Sequence, residues 1–275
     1  MLQVNGKQIH YFTFPGGELQ VELPQLIKTE RVVVKWKPRD SQDVMLLLLT
    51  IDALIQMNIR DIDLEVLYLP YARQDRVCSP GQSFSLSVIC KLLDSLGVMT
   101  IRLWDVHNVN LTLSLINDTT IFHTDASDIF ARYKIFDDFD MTNLILCAPD
   151  NGASNRVMEI VNLFDLSMPV NIAKERCSES GEITELKFNK YNRSIDGYNV
   201  MIIDDICDGG STFLKAAKIL KDNGAENLYL YITHGIFSKG LDELSQVFEH
   251  IICHHVLDDD LYQSNDKLTI LREEK

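Results

Sequence analysis

Short apolar runs alternate along the chain with stretches whose apolar residues recur at helical spacing. The strand-like runs are LEVLYLP (64–70), MTIRLWDVH (99–107), NLILCAPD (143–150), VMIIDD (200–205) and NLYLYITHG (227–235). Between them, FSLSVICKLLDSLG (84–97) and TFLKAAKILKDNG (212–224) read as helices. Strands that are apolar throughout and alternate with helices predict a parallel sheet covered on both faces. The expected fold class is therefore α/β, doubly wound.

The pattern also echoes itself. KLLDSLGVMTIRLWDVH (91–107) and KILKDNGAENLYLYITH (218–234) share a helix, a glycine, a strand and a final histidine at an offset of 127 residues. The matched Gly97 and Gly224 fit helix C-terminal caps, where a left-handed backbone favours glycine. The same offset sets SPGQSF (79–84) against ICDGGST (206–212). With 275 residues the chain suits two such halves. The boundary is expected near residue 125 in the polar HTDAS, giving domains 1–125 and 126–275.

Composition narrows the class. No stretch approaches the roughly 18 apolar residues of a membrane span, and MLQVNGKQIHYF lacks a basic segment followed by an apolar core. A cytoplasmic protein with no membrane partner is expected. The six cysteines show no C-x-x-C spacing, which fits reduced structural thiols and argues against a zinc site. A net charge of -14 argues against extended nucleic-acid binding. A phosphorylated small molecule remains compatible with that charge if a metal inverts the local field, which makes the carboxylates an argument for magnesium.

Four segments carry candidate chemistry. In VMIIDDICDGGST (200–212) the strand is expected to end near Asp204 and a helix to start around Ser211 or Thr212. Backbone amides over Asp208, Gly209, Gly210, Ser211 and Thr212 could bind a phosphate at the helix start. Asp204 and Asp205 could accept hydrogen bonds from ribose hydroxyls, a combination that fits a sugar phosphate. The plain alternative is an acidic loop whose helix is capped by Asp208 or Ser211. In YLPYARQDR (68–76), Arg73 can pair with phosphate oxygens and Gln74 with a base edge, or the segment is a solvated loop. His107 and Asp150, each just past a strand, form a partial magnesium shell, or His107 is structural. AKERCSESGEIT (173–184) reads as a mobile loop whose Lys174 and Arg176 could close over a transferring phosphoryl group; the alternative is a surface strand.

Taken in order, these segments resemble the phosphoribosyl pyrophosphate (PRPP) synthetase, or ribose-phosphate pyrophosphokinase, family over roughly residues 12–270. FPGGE looks like its adenine loop and PYARQDR its ATP segment. DVH looks like its histidine motif, PDNGASNR its aspartate-glycine segment and KER its catalytic loop, while DDICDGGST with THGIFS looks like its sugar-phosphate site. The resemblance implies two type I phosphoribosyltransferase-like domains related by pseudo-twofold symmetry. It implies transfer of the β,γ-diphosphate of ATP to the C1 hydroxyl of ribose 5-phosphate, with AMP released. By position, Phe14 and Glu18 would hold adenine across a subunit boundary, and Arg73, Gln74, Asp75 and His107 would contact ATP. His107 and Asp150 would hold magnesium. Asp204 and Asp205 would orient ribose, Asp208 to Thr212 would bind its phosphate, and Lys174 and Arg176 would stabilise the transferring group.

Departures from the family pattern keep alternatives open. The family usually has a further strand and helix before the adenine loop, so the expected homo-oligomer, a dimer or hexamer, could differ. Gly16, Gly81 and Ser83 stand where other residues are usual. Gly209 and Ser211 alter the phosphate loop, and losing a threonine at Gly209 opens room for a phosphate bearing a larger group. ADP-ribose, in an NAD-salvage role, is the alternative acceptor. A catalytically silent regulatory subunit is the alternative class. A phosphoribosyltransferase would not need ARQDR or KER.

Overall fold

The apolar runs form the inner strands of two mostly parallel sheets in the computed structural model of the chain, which describes residues 1–23, 31–176, 183–189 and 194–272. The chain divides into two units, Met1–Thr124 and Asp125–Lys275.

Unit 1 contains β1 (Leu2–Val4), β2 (Lys7–Gln8), β3 (His10–Thr13), β4 (Leu19–Glu22), β5 (Arg31–Trp36), α1 (Ser41–Gln56), β6 (Asp61–Val66), α2 (Ser85–Asp94), β7 (Thr100–Trp104), α3 (Val109–Leu115) and β8 (Thr120–Thr124). Its main sheet has the order β2-β1-β5-β6-β7-β8, with β5 to β8 parallel and β1 antiparallel against β5. Because the parallel strands follow one another in space as in sequence, right-handed crossovers put their helices on one side. Val32, Val34, Ile62, Leu64, Ile101 and Leu103 face that side and share a core with Leu47, Ile51 and Leu54 of α1 and Leu86, Ile89 and Leu93 of α2.

The expectation of strands buried on both faces therefore fails in unit 1. RVVVKW and DIDLEV alternate, and the residues between the core positions build a polar ladder. Arg31 donates to both oxygens of Asp63 at 2.6 and 3.0 Å, and Thr100 donates to Asp63 at 2.6 Å. Lys35 Nζ lies 3.0 Å from Glu65, which also accepts from Trp104 Nε1 at 3.2 Å. The Arg102 guanidinium sits 5.5 Å from the Phe122 ring centre.

Unit 2 contains α4 (Ala126–Arg132), β9 (Leu144–Ala148), α5 (Ser154–Leu163), β10 (Val170–Arg176), β11 (Ile183–Asn189), β12 (Asn199–Cys207), α6 (Ser211–Asp222), β13 (Leu228–Gly235), α7 (Asp242–Val247), β14 (His250–Val256) and β15 (Leu268–Ile270). The strand order is β11-β10-β9-β12-β13-β14-β15, all parallel except β11. Here the apolar strands are buried on both faces, as their sequences predict. One face packs against Phe213, Ala216, Ala217 and Leu220 of α6 and Leu244 of α7. On the other, Tyr231 meets Phe130 of α4 with ring centres 4.4 Å apart. The order reverses direction between β9 and β12, and such a switch point opens a crevice at the carboxyl ends of the strands.

The helix-and-strand part of the echo is present in both units. Gly97 and Gly224 follow α2 and α6 with φ of 68° and 91°, the left-handed conformation expected of them. The flanks of the echo differ. Residues 79–84 are loop, whereas Ile206 and Cys207 remain in β12, which continues because both pair with β13. His107 is exposed beyond β7, but His234 is buried inside β13 opposite Ile206. The strand predicted to end near Asp204 therefore runs to Cys207.

Behind these strands lies a buried histidine group. His254 is 1% exposed, its ring centre is 3.9 Å from that of His255, and its Nε2 lies 3.4 Å from Tyr133 Oη. Burial, helped by His234 and Arg132, pushes its pKa down to about 3. The folded imidazole stays neutral where the unfolded chain, with an ordinary value of about 6.5, takes up a proton. This contribution to stability is complete above about pH 6.5 and is lost as pH falls toward 3. From pH 7.5 to 5.5 urea denaturation should show a loss of about 1.4 kcal/mol that is absent from His254→Phe. Equal losses in both proteins would contradict this account.

Candidate functional site

The switch point gathers three of the predicted segments. Along β9 the last residue paired with β12 is Cys147, opposite Ile202, so Asp204 and Asp205 project past the paired end of β9, toward the level of Asp150. Asp150 Oδ1 accepts from the amides of Gly152 and Ala153 at 2.8 and 3.2 Å, shaping the turn into α5. Burial first, then the charges of Asp205 and Asp150, raise the Asp204 carboxyl well above its ordinary range. Arg156, in the first turn of α5, opposes that shift. Its two terminal nitrogens lie 3.5 Å from Asp204 and 3.6 Å from Asp205, and its side chain is 10% exposed.

Beyond β12 the chain turns through Asp208 and Gly209 to Gly210, whose φ is 75°. Gly210 is the N-cap of α6, and no side chain caps the helix. The prediction that Asp208 or Ser211 might cap it is not met. Asp208 Oδ1 instead accepts from Ser238 Oγ at 2.6 Å. By contrast α1, α3 and α4 have side-chain caps in Asp40, Asn108 and Asp125. The helices α2, α5 and α6 have none. First-turn amides at the positive end of a helix dipole can serve as an anion receptor.

In unit 1 the corresponding loops leave adjacent parallel strands. Arg73, Gln74 and Asp75 follow β6, with Arg73 and Gln74 exposed. Asp75 Oδ2 accepts from Asn108 Nδ2 at 3.0 Å, tying this loop to the one that carries His107 after β7. Tyr71 and Asp105 hold positive φ of 62° and 35°, strained turns for residues with side chains at the strand ends where the two loops begin. Phe14 and Glu18 lie exposed at the end of the β3–β4 hairpin, closed by Phe14 N donating to Glu18 O at 2.8 Å. The Phe12 and Phe14 rings meet edge to face at 5.1 Å, leaving aromatic surface open to solvent.

Lys174 and Arg176 were expected on a mobile loop. Both are strand residues of β10, pairing antiparallel with Leu186 and Ile183 of β11 across a register shift at Glu175 and Arg176. The next strand, β11, pairs back on it and turns the polar KER segment into a ladder. Residues 177–182, the rest of the predicted loop, and the side chains of Lys174 and Arg176 lie outside the described part of the structure.

Sequence reading did not single out Arg156 or Lys239. Arg156 stands within PDNGASNR, and a cation in the first turn after an acidic loop was its only signal. The Lys239 stem lies alongside Gly209, where a Cβ would meet its Cδ and Cε at 3.4 Å.

The donor set suits a hard cation with oxygen ligands: Asp204, Asp205 and Asp150 are close enough to raise the pKa of Asp204. Among the described residues no group of three such side chains could chelate an ion by itself. Magnesium needs only one or two carboxylates, with water and substrate phosphates completing its shell.

A switch-point crevice with paired carboxylates and an uncapped helix start, in an α/β fold, is an arrangement that could take a sugar phosphate. The chain is also similar to known proteins. The N-terminal domain of ribose phosphate pyrophosphokinase matches residues 1–97, and the phosphoribosyl synthetase-associated domain matches residues 192–268. The ribose-phosphate pyrophosphokinase of Pyrococcus furiosus is 33% identical over 248 residues, 86% of this chain and 82% of that protein. That of Thermococcus kodakarensis is 32% identical over 233 residues, 84% and 78% of the two chains. The phosphoribosylpyrophosphate synthetase structure from Mycobacterium smegmatis superposes with a TM-score of 0.79 at 21% identity, covering 96% of this chain and 85% of that one, a likeness of fold. The chain belongs to the ribose-phosphate pyrophosphokinase family.

Proposed function

We propose that this protein transfers the β,γ-diphosphate of ATP to the C1 hydroxyl of ribose 5-phosphate, giving PRPP and AMP. The observation that carries this reading is the carboxylate pair of β12 beside the uncapped start of α6, in a chain of this family. The amides of residues 208–212 hold the 5-phosphate, and Asp204 and Asp205 accept from the ribose hydroxyls, fixing C1. Its oxygen bonds to the β-phosphorus as the bond from that phosphorus to the α,β-bridging oxygen breaks. AMP leaves, and the hydroxyl proton is released. Arg73, Gln74, Asp75 and His107 hold ATP, with Phe14 and Glu18 of a second copy against its adenine in a homo-oligomer. Lys174 and Arg176 stabilise charge on the transferring group, chemistry that is mainly positioning and electrostatics. His107 and Asp150 are each candidate magnesium ligands, and the ion would supply neutralisation of phosphate charge. We infer a cytoplasmic location from the nucleotide and sugar-phosphate substrates of this reading. No helix among the described residues is long and apolar enough to cross a membrane.

Incubating the protein with ATP, magnesium and either ribose 5-phosphate or ADP-ribose, and following products by phosphorus NMR, tests the reading. AMP and a C1 diphosphate are expected with ribose 5-phosphate, one AMP per acceptor consumed. ADP as product would show simple phosphoryl transfer. Turnover of ADP-ribose alone would move the acceptor, and no turnover with either would leave the silent-subunit alternative.

A further inference from the structure

From Val200 to Thr212 the chain carries three aspartates and no cation, so its phosphate loop has backbone amides and the Ser211 and Thr212 hydroxyls, but no positive charge, to offer an anion. The fold brings a cation to it from another segment. After β13 the chain doubles back along the loop: Ile236 N and Phe237 N both donate to Cys207 O, at 2.8 and 3.1 Å. Ser238 N donates to Asp208 O at 3.1 Å, and Ser238 Oγ donates to Asp208 Oδ1 at 2.6 Å. Phe237 is held at a φ of 50°, buried, with its carbonyl accepting from Tyr262 Oη at 2.8 Å. A left-handed phenylalanine is costly, and these contacts hold the turn in that shape.

The next residues are Ser238 and Lys239. The Lys239 Cγ, Cδ and Cε run beside Gly209, at 3.6, 3.4 and 3.4 Å from where a Cβ would stand, and the ammonium is one bond beyond Cε. These are van der Waals distances, so the lysine stem lies directly alongside the loop at Gly209. We propose that Lys239 is a specificity-determining residue for the acceptor, its ammonium pairing with the acceptor's phosphate held on the α6 amides. This rests on the reading of that loop as the acceptor's phosphate site. A compact ammonium on a flexible stem acts on a phosphate as a point charge, so its contribution is charge pairing that salt screens.

The test compares the wild-type protein with Lys239→Met, which keeps a stem against Gly209 without the charge, and Lys239→Arg, which keeps the charge. Lys239 is exposed, so neither change disturbs the core. Loss of a charge-assisted contact should raise KM for ribose 5-phosphate about tenfold in Lys239→Met, leave KM for ATP and kcat within about twofold, and be largely rescued by Lys239→Arg. The variant's KM should also rise less steeply with salt than that of the wild type. Calorimetric titration of ribose 5-phosphate runs in parallel and does not depend on turnover. Weaker binding by Lys239→Met with no turnover in any protein would support the lysine's role and sink the diphosphotransferase reading. Equal ribose 5-phosphate affinity in wild type and Lys239→Met, or no binding by the wild type, would overturn the assignment of Lys239.

Discussion

Lys174→Ala is expected to lower kcat by about 10² to 10³, equivalent to about 3 to 4 kcal/mol of transition-state stabilisation. The reason is the chemistry: the transferring diphosphate carries charge that must be met by fixed cations, and Lys174 and Arg176 are the pair that the family pattern places there. Their strand bears on the size of the effect. β10 is paired with β9 on one side through Val170 and Asn171 and with β11 on the other. A cation mounted on a ladder is held in place more firmly than one on a free loop, which concentrates its loss in kcat. The backbone pairing of Lys174 with Leu186 is available to alanine as well, so the midpoint of thermal unfolding should move little. Steady-state rates for both substrates, beside a melting curve, check this. A variant with wild-type kcat would remove Lys174 from the chemistry.

Arg156→Leu should be the most damaging change to stability at the site, costing about 3 to 5 kcal/mol, because it strips the cation from two adjacent carboxylates in a largely dry environment. The Asp204 and Asp205 side chains are 16% and 4% exposed, and burial already works against ionisation of Asp204. The cost is that of an uncompensated charge, so it should be relieved in Arg156→Leu/Asp204→Asn, where one negative charge is also gone. Urea denaturation of the four members of this cycle, with chelator present to exclude divalent ions, measures the coupling. Additive losses would mean that Arg156 acts by packing alone. Activity should be lost in Arg156→Leu even where it stays folded, since the carboxylates proposed to orient the ribose lose their anchor.

Much of this was legible in the chain because it is local. The apolar runs of β9, β12 and β13, the periodic helices α2 and α6, and the left-handed glycines that end those helices are each written within a dozen residues. What escaped depends on partners distant in sequence. β12 outruns its expected end because β13 pairs with it as far as Cys207. Arg156 reaches its carboxylates across 48 residues. The open face of unit 1 is a different case. The alternation in RVVVKW and DIDLEV was readable, and the rule that parallel strands are buried on both faces concealed it.

The bare start of α6 has a consequence for the lifetime of the protein. With glycine as its N-cap, the start of α6 is weaker by only a few tenths of a kcal/mol than one with a side-chain cap. A bound phosphate completes the first turn, and stability then grows with the logarithm of ligand concentration. Resistance of the chain to proteolysis should therefore rise with the concentration of an acceptor that docks there.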